Sequence, residues 1–454
     1  MPPRKYVPTG TQSPYGGSAG RDTHIPTQPG IMKTTGFTER NLFMLHTLRR
    51  IPFSVWRVLL HSMLIGLGMS FFDVLFNFYL VSIGYQADTI GVLSTVARIA
   101  GLVVGIPGGR LIDRIGSRRA LIIAVLIYMV GLVSVLYAPD RIWLFVGQFI
   151  VGCAFSLLFA ALFPLLTQTT PHVQQPTVFG LNEMALNTIG LVGSILAGWL
   201  PSVVAPWLAV SDQSTLAYRV VLLIGVAILT SSLLPLLGSL QPAPHLNDDG
   251  VPIVAAVPMR STWRIIQYAF GSFLIGVGSG TFFPFQTLFL RSQLDMSDAN
   301  VGTVLAFSGV ALGVGAVAAG HYIGDRSLRV WSSIFRIAAA PALLLMLAPV
   351  VWVAVSGLIL RAFLIGCSIS LNDVLTMRLV NPQQRGFSSS ILNMAWAAGW
   401  AITATLSGYV QTSYGFTPLL ILGAIAYVLS GLAIWKYERD DSLTDGQIPQ
   451  GGTV

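Results

Sequence analysis

The sequence predicts an all-α membrane protein, with about twelve transmembrane helices in two pseudo-symmetric six-helix bundles. Three observations carry this. First, the 454 residues are 54% hydrophobic and only 10% charged, where a soluble domain carries roughly 25% charge. Second, the apolar residues gather into runs long enough to span a bilayer, which takes about 20 residues in a helix. Third, one long polar break divides these runs into two sets of six, and the sets resemble each other. A composition this apolar excludes disordered chains, coiled coils, small secreted domains and ordinary cytosolic enzymes.

Taken in order, residues 1–50 are expected to form a cytoplasmic tail, partly disordered. Residues 1–40 are rich in Pro, Gly, Ser and Thr and lack the apolar stretch of a secretory signal. Leu42, Leu45 and Leu48, followed by Arg49 and Arg50, form a short amphipathic stretch. It either lies on the membrane surface or simply leads into the first span. The spans are expected at 56–83, 89–110, 118–138, 142–167, 178–204, 217–240, 265–290, 300–323, 330–348, 350–377, 387–411 and 415–437. Of these, only 178–204 is heavily interrupted by polar groups. The break at 241–262 holds Pro242, Pro244, Asp248, Asp249, Gly250, Pro252 and Pro258. The expected organisation is therefore bundles at 51–240 and 263–438, a cytoplasmic linker at 241–262 and a cytoplasmic tail at 439–454.

The halves repeat at a near-constant offset. Ser62, Leu64, Ile65, Gly66 and Gly68 match Ser272, Leu274, Ile275, Gly276 and Gly278, 210 positions on. Phe149 through Ser156 (FIVGCAFS) matches Phe363 through Ser370 (FLIGCSIS) at 214, and Met184, Ala185 and Gly198 match Met394, Ala395 and Gly408 at 210. An even number of spans per half gives both halves one orientation, the parallel repeat of a two-bundle transporter.

Charge sets the expected topology. With the N-terminus inside, the inner regions hold about 20 of the 26 Lys and Arg residues. The outer loops keep Arg141, Arg219 and Arg291. This bias places both termini in the cytoplasm. The net charge of +8 thus reads as a topology signal, with no nucleic-acid partner implied. Cys153 and Cys367 lie inside apolar runs, so neither a disulfide framework nor a metal site is expected.

The loop after the second span reads GRLIDRIGSRR, from Gly109 to Arg119. Its Gly109, Asp113, Arg114, Gly116, Arg118 and Arg119 resemble the signature loop of the major facilitator superfamily at every fixed position, and the resemblance covers about residues 51–438. It implies that family's fold, with transport by alternating access. Gly109 and Gly116 are expected to allow a tight turn. Asp113 is expected to cap a helix end or pair with an Arg when the cytoplasmic side is closed. Asp325 and Arg326 belong to a degraded second copy. Upstream, Gly101, Gly105 and Gly109 at spacing four read as a helix-packing stripe. Gln148 departs from the family pattern, because many proton-coupled members have an Arg there. The fifth span lacks the Gly-Pro pairing of drug antiporters.

Ionisable and amide groups inside spans are costly, so they are the candidates for substrate binding or coupling. These are Arg98, Asp73, Asn77, Glu183, Asn187, Gln286, Arg361 and Asn393. The resemblance puts most of them near a central cavity. Arg336, near an inner helix end, is expected to snorkel, and Trp396 and Trp400 read as packing residues. No catalytic residue is expected, since the chain has no H-E-x-x-H, P-loop or nucleophile elbow.

The sequence thus points to a secondary transporter of a small organic solute. Two intramembrane Arg residues favour an anionic or zwitterionic group. Efflux of amphipathic drugs is the main alternative. A solute receptor on the same fold is the other, although the tails hold no recognisable signalling domain. No cofactor is expected. The expected partners are a small-molecule substrate, the lipid bilayer and, as a candidate coupling ion, the proton. The chain is expected to act as a monomer in a plasma membrane.

Overall fold

The computed structural model describes residues 51–171, 174–238, 260–322, 328–379 and 385–441. The N-terminal tail, most of the linker, Asp325 and Arg326 of the degraded second signature copy, and the chain beyond 441 lie outside the described residues. From Ile51 onward the chain forms one compact unit.

Twelve long helices account for this unit among the described residues. They are α1 (Phe53–Ser82), α2 (Ala87–Ile115), α3 (Ser117–Leu136), α4 (Arg141–Thr169), α5 (Gln175–Trp207), α6 (Thr215–Ser231), α7 (Arg260–Phe282), α8 (Asp298–Tyr322), α9 (Leu328–Leu344), α10 (Val351–Leu379), α11 (Arg385–Tyr414) and α12 (Thr417–Asp441). Eleven described helices are long and apolar enough to cross a membrane. The span expected at 387–411 is a 30-residue helix, α11, but it is not among the eleven. Asn393, Trp396, Trp400, Thr403, Thr405 and Ser407 dilute its apolar run. The heavily interrupted fifth span does pass, over Thr177–Trp207.

Proline shapes the ends of several elements. The expected continuous run 265–290 is broken. α7 stops at Phe282, a 3₁₀ turn covers Phe283–Phe285, and a short helix runs over Gln286–Ser292. Pro284 in that turn has no N–H to continue the helical ladder. Pro235 similarly sits in the short helix Leu233–Leu237 that follows α6. α7 begins at Arg260, inside the stretch expected as linker.

The packing explains the sequence repeat. In the first half α1 packs on α5 and α6, and α4 on α2 and α3; in the second, α7 packs on α11 and α12, and α10 on α8 and α9. The paired glycines make the wedge helices fit. A Cβ at Gly66 would strike the Leu186 backbone of α5, and one at Gly68 the Gly225 and Leu229 region of α6. Gly276 and Gly278 stand in the same relation to Trp396 of α11 and to Gly423 and Tyr427 of α12. Successive odd positions on a helix face different neighbours, so each glycine of the G-x-G pair serves one partner.

Two helix pairs make the main contacts between the halves among the described residues: α2 with α11, and α5 with α8. Both lie toward one end of the helices. Here Gly91 meets the Ala404 carbonyl and Gly408, while Gly302 meets the Ser194 carbonyl and Gly198. We call this the far end. The opposite end carries Arg110, Arg114, Arg118 and Arg119, and we call it the basic end.

Candidate functional site

Between the halves lies a cavity of about 660 Å³. The α2/α11 and α5/α8 seams close it at the far end. Toward the basic end, Gly105 and Gly109 of α2 and Gly309 and Gly313 of α8 have nothing within 4 Å of where a Cβ would stand. The halves part there.

Seven of the eight candidate residues lie on the cavity wall: Asp73, Asn77, Arg98, Glu183, Asn187, Gln286 and Arg361. Asn393 does not; it is exposed on α11 away from the described wall. Its helix presents Trp400 to the cavity instead.

The seven differ in how far they are already engaged. Asn77 is committed across the halves: its Nδ2 donates to the Pro284 carbonyl and to Thr287 Oγ1, both at 2.8 Å. The accepting Pro284 carbonyl belongs to the 3₁₀ turn that breaks the run. Asn77 and Thr287 are repeat-equivalent positions, so they meet where the two halves face each other. Asn187 donates along its own helix, to the Glu183 carbonyl at 2.8 Å and to Glu183 Oε2 at 3.4 Å. That contact is the one hydrogen bond to the Glu183 carboxylate among the described residues.

Arg98 is held from the opposite half. Its guanidinium carbon lies 4.9 Å from the Trp396 ring centre and 4.5 Å from that of Trp400. Trp400 is fixed in turn by an Nε1–H bond to Ser94 Oγ at 2.9 Å. Cation–π contacts of this kind contribute about 0.5–2 kcal/mol, more when dry. The two tryptophans, read from sequence as packing residues, thus clamp a cavity arginine. Asp73 lines the same wall, and no ion pair within 4.0 Å joins it to Arg98 among the described residues.

Arg361 is different. It is 5% exposed, and among the described residues it makes one hydrogen bond, from Nε to the Tyr427 hydroxyl at 3.4 Å. The Tyr427 ring centre lies 6.0 Å from its guanidinium carbon, and among the described residues no carboxylate is within 4.0 Å. A buried guanidinium has five N–H donors, and burying a charge without partners is costly. Arg336 shows the contrasting case. It does not snorkel: it is 3% exposed and bonds Ser368 Oγ and Ser430 Oγ, each at 2.8 Å. It is a fully engaged core group away from the cavity wall.

Rings that the sequence did not single out complete the wall. Phe72, Phe76, Phe155, Phe159 and Phe283 line it with Trp400. Phe155 and Phe159 sit 4.7 Å apart, and Phe283 packs 5.3 Å from Trp400. The wall is therefore amphipathic, with four charged groups set among aromatic rings. Among the described residues no group of His, Cys, Asp and Glu side chains could hold a metal ion.

The signature loop sits at the basic end. Gly116 has φ +85° and joins α2 directly to α3, which favours glycine. Gly109 is not in the turn; it lies inside α2. Nor do Gly105 and Gly109 pack, as the stripe predicted: they face open space, and Gly101 touches α4 only lightly. Asp113 and Arg114 are exposed, and Asp113 makes no ion pair within 4.0 Å among the described residues. Arg118 does bind, through Nε to the Leu236 carbonyl at 2.9 Å and through a terminal nitrogen to the Leu237 carbonyl at 3.0 Å. It thereby satisfies the exposed end of the short helix after α6.

Two halves of like packing around one midline cavity, reached from one end, define a two-bundle membrane transporter fold. The Major Facilitator Superfamily profile matches residues 58–266 and 268–453, and the chain belongs to that family. Its fold is similar to that of a bacterial homolog of the human lysosomal transporter Spinster, in an inward-facing and occupied conformation. That likeness has TM-score 0.70 at 14% identity and covers 85% of this chain and 96% of the other. The nucleoside transporter NupG is similar at TM-score 0.63 and 15% identity, over 86% of this chain and all of that one. Among curated proteins, the multidrug resistance protein MdtG of Klebsiella pneumoniae (strain 342) is 29% identical over 124 residues. That match covers 25% of this chain, which spans about 30% of the relative's length.

Proposed function

We propose that this protein moves a small amphipathic organic solute with an anionic group across a plasma membrane by alternating access. The observation that carries the proposal is Arg361, a buried guanidinium on the cavity wall with no carboxylate partner among the described residues. Such a group is set to receive a carboxylate or phosphate. The aromatic wall supports an apolar body on the same solute. Both termini are cytoplasmic on this reading, because Lys and Arg concentrate at the basic end. The described conformation then opens to the cytoplasm, like the inward-facing structure it resembles in fold. The rocking of two halves about a midplane site follows from the parallel repeat. Asp73 and Glu183 are the groups placed to carry a coupling proton.

The test is a thermal-shift and transport panel of organic anions, sugars, amino acids, lipids and bulky cations on the purified protein. Amphipathic anions should raise the apparent stability. The shift should vanish in Arg361→Gln and return in part in Arg361→Lys. If transport of such an anion survives in both Arg98→Ala and Arg361→Ala, the anion site is wrong. Efflux of amphipathic cations is a second reading, favoured by the six-ring wall and the short match to a multidrug protein. Stabilisation by bulky cations alone would select it.

A further inference from the structure

The cavity charges are not shared evenly between the halves. The first half contributes Asp73, Glu183 and Arg98 to the wall, and the second contributes Arg361 alone. Asp73 and Arg98 are opposite charges contributed by the same half, and Arg98 is also covered by the two indoles from the other half. Two charges remain: a carboxylate at Glu183 in the first half and a guanidinium at Arg361 in the second. Neither has an ion-pair partner within 4.0 Å among the described residues.

The repeat makes this asymmetry plain. At the standard offsets, Glu183 corresponds to Asn393 in the second half, and Arg361 to Gly147 in the first. Asn393 is off the cavity wall, and Gly147 packs against Val135 of α3. Each of these two charges therefore stands where the other half is neutral. The charges also differ in depth. Glu183 lies fifteen residues before Gly198, which forms part of the far-end seam, so it sits roughly 22 Å from that seam along α5. Arg361 lies two to five residues before the crossing of α10 with α8, where Gly366 meets Leu312 and Gly315 meets Phe363. That crossing lies ten to thirteen residues along α8 from Gly302, so Arg361 is nearer the far end than Glu183 is.

We propose that the solute is zwitterionic and elongated, with its anionic end on Arg361, its cationic end on Glu183, and its apolar body against the aromatic rings. This deepens the anionic-solute reading and rests on it. A ligand held by both halves at once favours the arrangement that brings both contacts into reach. That is how binding energy biases one conformation over another.

The experiment uses ω-aminoalkanoates of six, eight and eleven carbons, with the n-alkanoate and n-alkylamine of each length, on the full chain in a neutral detergent. Apparent melting temperature is measured against probe concentration. The longer zwitterions should bind roughly tenfold or more tightly than either single-charge analogue. Glu183→Gln should reduce the zwitterion to the level of the alkanoate, and Arg361→Gln to the level of the alkylamine. Glu183 is exposed to the cavity, so its variant should fold; Arg361→Lys covers the case in which Arg361→Gln does not. Equal affinity for alkanoate and zwitterion, unchanged by Glu183→Gln, overturns the zwitterion and leaves the anion site standing. Equal affinity for alkylamine and zwitterion, unchanged by Arg361→Gln, overturns both, as does the absence of any shift.

Discussion

The two ends of α2 and α8 carry the same residue type and meet opposite surroundings. At the far end, Gly91 of α2 and Gly302 of α8 are pressed against carbonyls of α11 and α5. At the basic end, Gly105 and Gly109 of α2 and Gly309 and Gly313 of α8 touch nothing. A close helix approach needs small residues, so both ends are built to close, and only one is closed. On the proposed alternating-access reading, the stripe read from sequence as packing is surface held in reserve for the opposite conformation. The two closed seams differ as well. The α2/α11 seam is laced with polar bonds: Thr95 Oγ1 donates to the Ala401 carbonyl at 2.6 Å, Thr405 Oγ1 to Thr95 Oγ1 at 2.7 Å, and Trp400 to Ser94. The α5/α8 seam has no side-chain hydrogen bond between its helices among the described residues. Its rim is instead held by Tyr218, which donates to Asp298 at 2.6 Å and accepts from Arg291 at 2.8 Å.

The largest test of this contrast is to fill the closed end. Gly91→Leu or Gly302→Leu puts a side chain where a backbone carbonyl stands, and overpacking of this kind is destabilising. Transport should fall about a hundredfold or more, and a cysteine at Ser94 should become reactive from the far side. Gly105→Leu should do the reverse. Ligand binding from the basic end should stay within about twofold, while turnover drops about tenfold, because only the opposite closure is obstructed. Such a split between binding and turnover is what distinguishes held-in-reserve surface from plain lipid-facing surface. Smaller still, Thr95→Ala removes two hydrogen bonds from one seam, about 1 kcal/mol each. Far-side labelling should rise measurably, whereas no comparable polar deletion exists at the α5/α8 seam itself. The smallest effect is expected for Arg118→Ala. It loses two partly exposed bonds to carbonyls, and the apparent melting temperature should fall by a few degrees with binding unchanged.

Much of this architecture was legible in the sequence. The spans follow from apolar run length, and the repeated G-x-G pairs follow from the need of α1 and α7 to lie between two neighbours. The charged wall residues were legible because a charge inside a span needs a reason. The aromatic rings were not, since a phenylalanine in an apolar run carries no mark of whether it faces lipid, core or cavity. Asn393 stands apart from the other seven for a related reason: polarity marks a residue, but only the rotation of α11 decides which face it occupies. Trp400 shows the converse. It joins the cavity through its pairing with Arg98, a contact between residues about 300 positions apart that periodicity cannot reveal. The break at Pro284 also escaped, because a proline within an otherwise continuous run is compatible with a kinked span.

One further consequence follows from the turn at Gly116. With a single residue between α2 and α3, and with Arg118 fastening the start of α3 to the carbonyls of Leu236 and Leu237, this corner has almost no slack. Torque applied to the basic end of α2 passes into α3 and on to the helix that follows α6. If the halves rock as proposed, the corner acts as a crank: closing the basic end swings several helices together, and lengthening the turn by two or three glycines should uncouple the stroke from the load it drives.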